Sequence, residues 1–418
     1  MPEIQLRYGR TSVPFEYSKE CFDILSGRQE SRPLSDIEIG EAFDSPIGST
    51  QLEDQVEPGQ TVLFVVPDAT RQAAAGQIIN LLVRRLIANG TMPHEMAVIF
   101  ATGIHRKVTE PEKQKILTPF IAQRLKTIDH DPRNLVQIVR LGETSDGISV
   151  ELNRALVEFD HVITIGSINF HYFAGFTGGR KLICPGLASA GTIAATHRLA
   201  FDCERLDRRS GVGSGLLAGN PVHEAFAQAA SKIKVSFAVN SIVNEFGEAT
   251  SVFCGDPIAS HEKACEAFSV ANTIELQEKR DLVIVSCGGS PFDLSMIQAH
   301  KALDAAATAC NDGGSIILVA ECLDGLGRAD FLDWFAAVNS PELASHLCAK
   351  YNVNGQTAWS LLKKAERFDI RIMTDLDDAT LSKMRLRRIT HEEINIAGRS
   401  GRTGYVIPNG SKAKFVVI

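Results

Sequence analysis

The sequence has no apolar stretch long enough to cross a membrane. Its longest apolar runs, such as VLFVV at 62–66, have the length of strands, whereas a membrane-spanning helix needs roughly 20 apolar residues. The first residues, MPEIQLRYGR, are polar and charged and contain no apolar core of a signal peptide. We therefore expect a cytoplasmic protein without a membrane partner.

Paired cysteines and familiar metal or nucleotide motifs are also missing. The nine cysteines are scattered singly, which is typical of a reducing cytosol, so we predict that they are unpaired. No His-Glu-x-x-His motif indicates zinc, and neither a Walker A loop nor GxGxxG follows the first predicted strand. The net charge of -7, without a lysine and arginine cluster, argues against a nucleic-acid partner.

What the sequence does contain is an alternation of Val- and Ile-rich runs with helical patterns. This alternation predicts an α/β fold with mainly parallel sheets. The first strand precedes a helix that carries Ile78, Leu82 and Leu86 and stops at Asn89-Gly90. The predicted strands cover residues 61–68, 96–103, 161–168, 237–244, 280–289, 313–322 and 368–376, and a second clear helix covers about 293–307.

The length of 418 residues is too great for one core and indicates at least two domains. A charged segment poor in strand formers, ANTIELQEKR at 271–280, interrupts the alternation. We therefore predict an N-terminal α/β domain at 1–275, with 400–418 as a candidate addition, and a C-terminal α/β domain at 276–399. The end of the chain predicts a hairpin around Asn409-Gly410.

Unusual polar residues follow the predicted strands. Asp68 and Arg71 follow the first strand, His105 the second and His171 the third, while 288–289 is a glycine pair in the second domain. Since ligands bind at the carboxyl ends of strands in open α/β sheets, we predict an active site in a cleft between the domains. The Arg71 guanidinium suits a carboxylate, although a capping Asp68 paired with Arg71 is an alternative.

The densest motif is NFHYFAGFTGGRKLICPGLASAGTIAATH at 169–197. Gly178 and Gly179 precede a basic pair at 180–181, and Thr192 lies where a helix could begin and be capped. Glycines let backbone N–H groups face an anion, which indicates a phosphate- or carboxylate-binding loop. A glycine-rich turn with a solvated basic pair is the alternative, and composition alone does not decide between them.

Three histidines, His105, His171 and His197, occur near the predicted strand ends. Histidine carries protons near neutral pH and binds borderline metals. A lone histidine is more often structural, but three beside a glycine loop favour a functional site. The histidines that we assign to the surface or to helix ends are His94, His130, His261, His346 and His391.

In the second domain, GGSPFDLSMIQAHKA at 288–302 reads as a glycine turn followed by a helix. Gln298 and Lys301 are three residues apart and therefore lie on one face of that helix. They could reach a ligand, or they could form an exposed polar face. Trp359, in another helical stretch, is interpreted as a core residue in preference to a lining of the cleft.

Taken in order, these motifs resemble the nickel-pincer nucleotide-dependent lactate racemase family. The resemblance runs from about Pro67 to Ala302 through PDATR, ATGIHR, HYFAGFTGGRKLICPG, TIAATH and GGSPFDLSMIQAHKA. It implies the nickel-pincer nucleotide as cofactor, that is, the Ni(II) complex of pyridinium-3-thioamide-5-thiocarboxylic acid mononucleotide. Lys181 matches the lysine that tethers this cofactor through a thioamide and so joins the metal site, and His197 matches the histidine that ligates nickel.

The resemblance also implies a reaction on a small 2-hydroxy acid. Hydride would move from the substrate to the cofactor and back through a planar 2-keto acid, which avoids a carbanion beside a carboxylate. His105 and His171 match the two catalytic histidines, one base for each enantiomer. Arg71 matches the arginine that holds the substrate. The resemblance assigns to cofactor binding, besides Lys181, the residues Asp68, Arg71, Gly178, Gly179, Thr192, Gln298 and Lys301, of which Gln298 and Lys301 also contact the substrate.

One departure concerns the substrate pocket. Ile297 stands before Gln298, where the family's lactate enzyme has an aromatic residue, so the substrate is lactate or a larger acid such as a sugar acid, a malate-like acid or an aryl-lactate.

The implied partners are the 2-hydroxy acid and the enzymes of cofactor biosynthesis. The alternatives are a nicotinamide-dependent dehydrogenase, weakened by the missing GxGxxG, and a non-catalytic carrier of the nickel cofactor, weakened by the histidine pair.

Overall fold

The computed structural model describes residues 1–27 and 32–418. The strands are β1 (Glu3–Tyr8), β2 (Thr11–Glu16), β3 (Phe22–Ile24), β4 (Val62–Pro67), β5 (Met96–Ala101), β6 (Lys126–Asp129), β7 (Ile138–Glu143), β8 (Ser149–Asn153), β9 (His161–Ser167), β10 (Phe170–His171), β11 (Gly175–Phe176), β12 (Phe201–Asp202), β13 (Asp207–Arg208), β14 (Val235–Val243), β15 (Ala249–Gly255), β16 (Thr273–Leu276), β17 (Arg280–Ser286), β18 (Cys310–Val319), β19 (Asp369–Met373), β20 (Arg387–Arg388), β21 (Gly404–Ile407) and β22 (Lys414–Val417).

The α-helices are α1 (Asp36–Asp44), α2 (Ala75–Ala88), α3 (Glu110–Arg124), α4 (Ala155–Glu158), α5 (Ala190–Arg198), α6 (Pro221–Ala230), α7 (Ala259–Asn272), α8 (Met296–Ala309), α9 (Ser340–Ala349), α10 (Val353–Arg367), α11 (Asp378–Lys383) and α12 (His391–Arg399). Short 3-10 helices cover Leu52–Asp54, Pro93–Glu95, Gly179–Leu182 and Ala329–Ala336. Every predicted strand and both predicted helices are confirmed to within a few residues.

The chain forms two compact units. The central unit consists of Glu30–Ala200 and Ser210–Val270, and the terminal unit consists of Met1–Gln29, Phe201–Arg209 and Ala271–Ile418. The predicted boundary near 275 lies close to the observed change at Ala271. The observed units differ from the predicted domains because both ends of the chain and the short segment Phe201–Arg209 pack with the residues after 271.

The central unit is built on a six-stranded sheet of order β15-β14-β9-β4-β5-β6. All neighbours are parallel except β14 and β15. Strand β4, VLFVVP, is buried along its whole length, which suits a strand that is covered on both faces. Helix α2 packs Ile78, Leu82 and Leu86 into the same core as alternate residues of β4 and β5.

The terminal unit has its own six-stranded sheet, of order β20-β19-β18-β17-β21-β3, and every neighbouring pair is parallel. The predicted α/β class with mainly parallel sheets is therefore confirmed. Trp359 of α10 is 4% exposed and belongs to the core of this unit. Its interpretation as a core residue is confirmed.

The end of the chain does not form the predicted hairpin. Strand β21 pairs with β17 and β3, and β22 pairs in parallel with β16, so the two strands on either side of Asn409-Gly410 are not partners. Strand β16 also lies inside the segment 271–280, which we had interpreted as poor in strands. Strand β21 is fully buried between β17 and β3, and it is more stable with two partner strands than it would be in an isolated hairpin.

The prediction that all cysteines are unpaired is wrong for one pair. Cys203 and Cys348 form a disulfide across a sequence separation of 145 residues, within the terminal unit. Phe201, in the same short segment as Cys203, packs edge-on against Trp359 with ring centroids 4.9 Å apart. The other seven cysteines are free thiols. Among residues 1–27 and 32–418, each helix is too short or too polar to span a membrane.

Candidate active site

Asp68 and His105 form a hydrogen-bonded pair at the carboxyl end of the central sheet. Strands β4 and β5 are parallel neighbours whose last residues, Pro67 and Ala101, are in register, so the segments that follow them meet. The Nδ1 of His105 lies 2.6 Å from Oδ2 of Asp68. Because a carboxylate only accepts, Nδ1 carries the proton and Nε2 is left as a proton acceptor.

The Asp68 carboxyl is held in its charged form. Burial by itself raises its pKa, but the attraction of His105 and the hydrogen bonds from His105 and Thr70 outweigh burial and hold the pKa at about 2. Thr70 donates to Oδ1 of Asp68 from its hydroxyl at 2.6 Å and from its backbone N–H at 3.0 Å. The His105 side chain is 41% exposed, so its Nε2 can meet a small molecule from solvent.

Arg71 lies in the same turn and is half-buried. Its guanidinium donates to the carbonyl of Thr70 at 3.0 Å, and burial lowers its pKa despite the charge of Asp68. Asp68 caps the turn by accepting hydrogen bonds from Thr70, which agrees with the capping role of the alternative prediction. The pairing of Asp68 with His105 was not part of that alternative, although both residues had been placed at strand ends.

The glycines of the central motif are required by packing. A Cβ on Gly178, which has a φ of +75°, would lie 2.8 Å from Cδ1 of Ile168. A Cβ on Gly179, with a φ of +48°, would lie 2.5 Å from the ring of His261. Close approach of side chains therefore accounts for both positions, independently of any anion.

Arg180 is held by a hydrogen bond to the backbone of this loop. It donates to the carbonyl of Ala174 at 2.8 Å and lies 3.0 Å from Nε2 of His261, and burial lowers its pKa to about 10. His261 is 4% exposed and donates to the carbonyl of Thr177 at 3.0 Å. The alternative prediction of a solvated basic pair is therefore wrong for Arg180, whose guanidinium is bound to the backbone of the loop. His261 lies in the first turn of α7, which agrees with the helix-end alternative, although its side chain is buried. The assignment is wrong for His130, which follows β6 and is 2% exposed.

His171 is buried in β10 and has the opposite tautomer to His105. The backbone N–H of Ala174 donates to its Nδ1 at 3.3 Å, so a neutral ring carries its proton on Nε2. The ring lies against Tyr172 and Phe173, with centroid distances of 5.4 and 4.4 Å. The two predicted catalytic imidazoles therefore differ: His105 presents an acceptor at Nε2 and His171 presents a donor.

Lys181 and His197 share two aromatic neighbours. The Nζ of Lys181, in the 3-10 helix, lies 5.6 Å from the ring centroid of Phe173 and 5.4 Å from that of Phe226. The ring of His197, in the last turn of α5, lies 5.1 Å and 5.2 Å from the same two rings. Phe226 was not singled out from the sequence, because it lies on α6 among alanines and outside every motif.

His197 is a neutral imidazole with one nitrogen committed. Its Nδ1–H donates to the carbonyl of Ile193 at 2.7 Å, and burial, followed by the charge of Lys181, lowers its pKa to about 3. Nε2 therefore keeps its lone pair, as a metal ligand must. Among the described residues, no group of three or more His, Cys, Asp or Glu side chains is placed to hold a metal.

Thr192 links helix α5 to strand β8 in the central unit. Its hydroxyl donates to the carbonyl of Ser149 at 2.8 Å and accepts from the N–H of Glu151 at 3.0 Å, which ties α5 to β8. The N-cap of α5 is Ser189, whose side chain accepts from the N–H of Thr192. The predicted capping role of Thr192 is therefore wrong, because the helix begins earlier than the sequence pattern indicated.

Gln298 and Lys301 lie in the terminal unit, on α8. Lys301 donates to Oε1 of Gln298 at 2.5 Å, and Gln298 is 7% exposed, so an exposed polar face does not describe this pair. Ile297 is half-buried against the core of this unit. The roles that the resemblance implies for these three residues stay predictions.

Comparison with known proteins gives one consistent family. The model of the lactate racemase N-terminal domain matches residues 8–207, and that of the lactate racemase C-terminal domain matches residues 276–397. The lactate racemase of Thermoanaerobacterium thermosaccharolyticum is 31% identical over 346 residues, 82% of this chain and 80% of that protein. The lactate racemase of Lactiplantibacillus plantarum is 30% identical over 347 residues, with the same coverage of both chains.

Solved structures agree with these matches. The lactate racemase apoprotein from Thermoanaerobacterium thermosaccharolyticum superposes with a TM-score of 0.88 at 26% identity, covering 99% of this chain and 100% of the other. A protein from Thermotoga maritima superposes with a TM-score of 0.72 at 20% identity, covering 93% and 100%. At that identity the second likeness concerns the fold alone.

Proposed function

Since this chain belongs to the lactate racemase family and is an isomerase, we propose that it racemises or epimerises a 2-hydroxy acid with a nickel-pincer nucleotide. The observation that carries this proposal is the arrangement of Lys181 and His197. An amine and a neutral imidazole with a lone pair on Nε2 both lie within 5.6 Å of the centroids of the same two rings, Phe173 and Phe226. Tether and metal ligand thus come from one small region.

The residues present fit the proposed cofactor. His197 offers a neutral nitrogen, which a borderline metal such as nickel accepts, and its orientation is fixed by Ile193. Lys181 offers a primary amine that can be joined to the cofactor as a thioamide. When bound, the nickel-pincer nucleotide would supply the acceptor for the hydride that leaves the 2-carbon of the substrate.

We propose that His105 and His171 move the hydroxyl proton. For one enantiomer, Nε2 of His105 accepts this proton, and the Asp68 carboxylate stabilises the imidazolium that forms. For the other enantiomer, His171 must accept it, which requires the proton on its ring to move from Nε2 to Nδ1. That move gives up the hydrogen bond from Ala174 and sets two donors, Nδ1–H and the Ala174 N–H, against each other, at a cost of about 1 to 3 kcal/mol.

Arg71 is the proposed partner of the substrate carboxylate. Its planar guanidinium can donate two parallel hydrogen bonds to a carboxylate, a geometry that lysine lacks. A bound carboxylate would also neutralise the half-buried charge of Arg71. We propose lactate or a larger 2-hydroxy acid as the substrate, with the aliphatic side chain of Ile297 favouring a larger one. We also propose a cytoplasmic location and the cofactor biosynthesis enzymes as partners.

The test uses protein produced together with the cofactor biosynthesis enzymes. Each enantiomer of lactate, malate, an aryl-lactate and a sugar acid is incubated with it, and the products are separated by chiral chromatography. We expect conversion of at least one pair, about one nickel per chain, and a covalent mass increase that the Lys181→Ala variant lacks. Conversion that instead depends on added NAD would favour a dehydrogenase, and nickel with no conversion of any acid would favour a carrier.

A further inference from the structure

The rings of Phe173 and Phe226, here called the aromatic pair, each lie near both the Lys181 amine and the His197 imidazole. The distances from the Lys181 Nζ and from the His197 ring centroid to the centroids of these two rings all fall between 5.1 and 5.6 Å. At such distances an ammonium group is attracted to a ring face and an imidazole packs well against a ring. Phe226 is fully buried, with 0% exposure, so its ring cannot turn away toward solvent.

A buried asparagine links the two backbone segments that carry these rings. Asn220 is 0% exposed, and its side-chain amide donates to the backbone carbonyl of Phe173 at 2.9 Å. Its Oδ1 accepts from the N–H groups of Val222 and His223 and so caps α6, the helix that carries Phe226. One side chain therefore ties the backbone of Phe173 to the start of the helix that presents Phe226.

From these contacts we infer that Phe226 is a positioning residue. Together with Phe173 it holds the Lys181 amine and the His197 imidazole at the separation that lets both join one cofactor. A lysine side chain without ring neighbours samples many rotamers, and each misplaced rotamer carries the amine away from the ligand nitrogen. The inference rests on the proposed function, since it assigns the aromatic pair to the cofactor that Lys181 and His197 would hold.

The first experiment measures the apoprotein, so that it does not depend on the cofactor. The variants are Phe226→Leu and Phe226→Ala, and the matched control is Phe268→Leu. Phe268, on α7, is 2% exposed and packs edge-on against Phe170 at a centroid distance of 5.1 Å, in a core cluster that does not include Phe226. An amine-reactive reagent is added, and the labelling rate of Lys181 is read by peptide mass spectrometry.

We expect both Phe226 variants to label Lys181 at least about threefold faster than the wild type, because a weak ring contact is lost. The control should label at the wild-type rate with an equal loss of Tm. Equal labelling of Lys181 in the Phe226→Leu variant, the Phe268→Leu variant and the wild type would overturn the inference.

The second experiment measures loading after production with the cofactor biosynthesis enzymes. We expect the covalent mass increase and the nickel content to fall at least about fivefold in Phe226→Leu at a Tm matched to the control. The visible absorption of the remaining nickel should also shift, because His197 is displaced. Full loading with an unchanged spectrum would contradict the positioning role. If the wild type itself carries neither nickel nor added mass, the proposed function fails, while the labelling result still decides the inference.

Discussion

The carboxyl ends of the two parallel sheets carry different chemistry. At the edge of the central sheet, Asp68 is buried beside His105, and the attraction and hydrogen bond of that ring hold the pKa of the Asp68 carboxyl at about 2. At the same edge of the terminal sheet, three carboxylates, Asp293, Glu321 and Asp375, lie near one another. Burial raises the pKa of Asp293, and burial and its neighbouring carboxylates raise that of Glu321.

The acidic edge of the terminal sheet holds the β1–β2 hairpin. The N–H of Gly9 donates to Oδ2 of Asp293 at 2.7 Å, and the hydroxyl of Tyr8 donates to Asp375. A Cβ on Gly9 would lie 1.9 Å from Oε2 of Glu321. The comparison shows that two similar sheets can use the same edge differently. One keeps a half-exposed imidazole there, and the other covers its edge with a turn of the chain.

The sharpest test of the proposed active site is removal of the His105 and His171 imidazoles. His105→Ala and His171→Ala should each lower racemisation by about 10²- to 10⁴-fold, the usual contribution of a general base. In a rapid acid quench, His105→Ala should block 2-keto acid formation from one enantiomer and His171→Ala from the other. Either variant retaining half of the wild-type rate would contradict the assigned roles.

The terminal unit should depend on its disulfide more than the central unit depends on any of its free thiols. Cys203→Ser should lower the free energy of unfolding by about 2 to 4 kcal/mol in urea titrations without reductant. Cys265→Ser, in the central unit, is the control and should change it less. Thiol titration of the unfolded, unreduced wild type should find the seven free cysteines, and nine reactive thiols would exclude the disulfide.

The contact between the β1–β2 turn and the acidic edge of the terminal sheet can be tested by adding one methyl group at Gly9. Gly9→Ala should destabilise the protein by about 1 to 3 kcal/mol, because Gly9 has a φ of +54° and its Cβ would also push the Glu321 carboxylate out of its position. Gly325→Ala is the matched control, since Gly325 has a φ of +63° and nothing within 4 Å of its Cβ position. Equal destabilisation in thermal melts would mean that backbone conformation, and not the contact with Glu321, explains the loss.

The smallest effects concern pH, and they should have opposite signs at the two edges. A carboxyl whose folded pKa is depressed stabilises the fold above its unfolded pKa. For Asp68 that contribution, on the order of 1 to 2 kcal/mol after solvent screening at His105, should be lost as the pH falls from about 4 to about 2. Asp293, whose pKa is raised, should instead favour folding more as the pH falls.

Urea titrations between pH 7 and pH 2.5 can measure this contrast. The difference in unfolding free energy between wild type and Asp68→Asn should shrink toward acid pH. The difference for Asp293→Asn should favour the variant at pH 7 and then decline. If the unfolding free energies of the two variants changed with pH in the same way, the proposed difference between the Asp68 and Asp293 carboxyls would be contradicted.

Much of the site could be predicted because its residues sit at strand ends. Fully apolar runs such as VLFVVP mark buried parallel strands, and the polar residues that follow must gather at one edge. This reasoning placed Asp68 and His105 at neighbouring strand ends, where the structure joins them. The roles of His171, Lys181 and His197 came from the family resemblance and stay predictions. The predicted cap at Thr192 and the predicted surface position of His130 were wrong, because both side chains have hydrogen-bond partners in β8.

Sequence by itself determined the α/β alternation, the strand-end residues and the family, because each is written in local periodicity or in contiguous motifs. Tertiary structure alone decided the opposite tautomers of His105 and His171, the contact of Phe226 with Lys181, the Cys203–Cys348 bond and the place of β21. Each of these depends on groups far apart in the chain, and a proton or a ring takes its position only when its distant partner is in place.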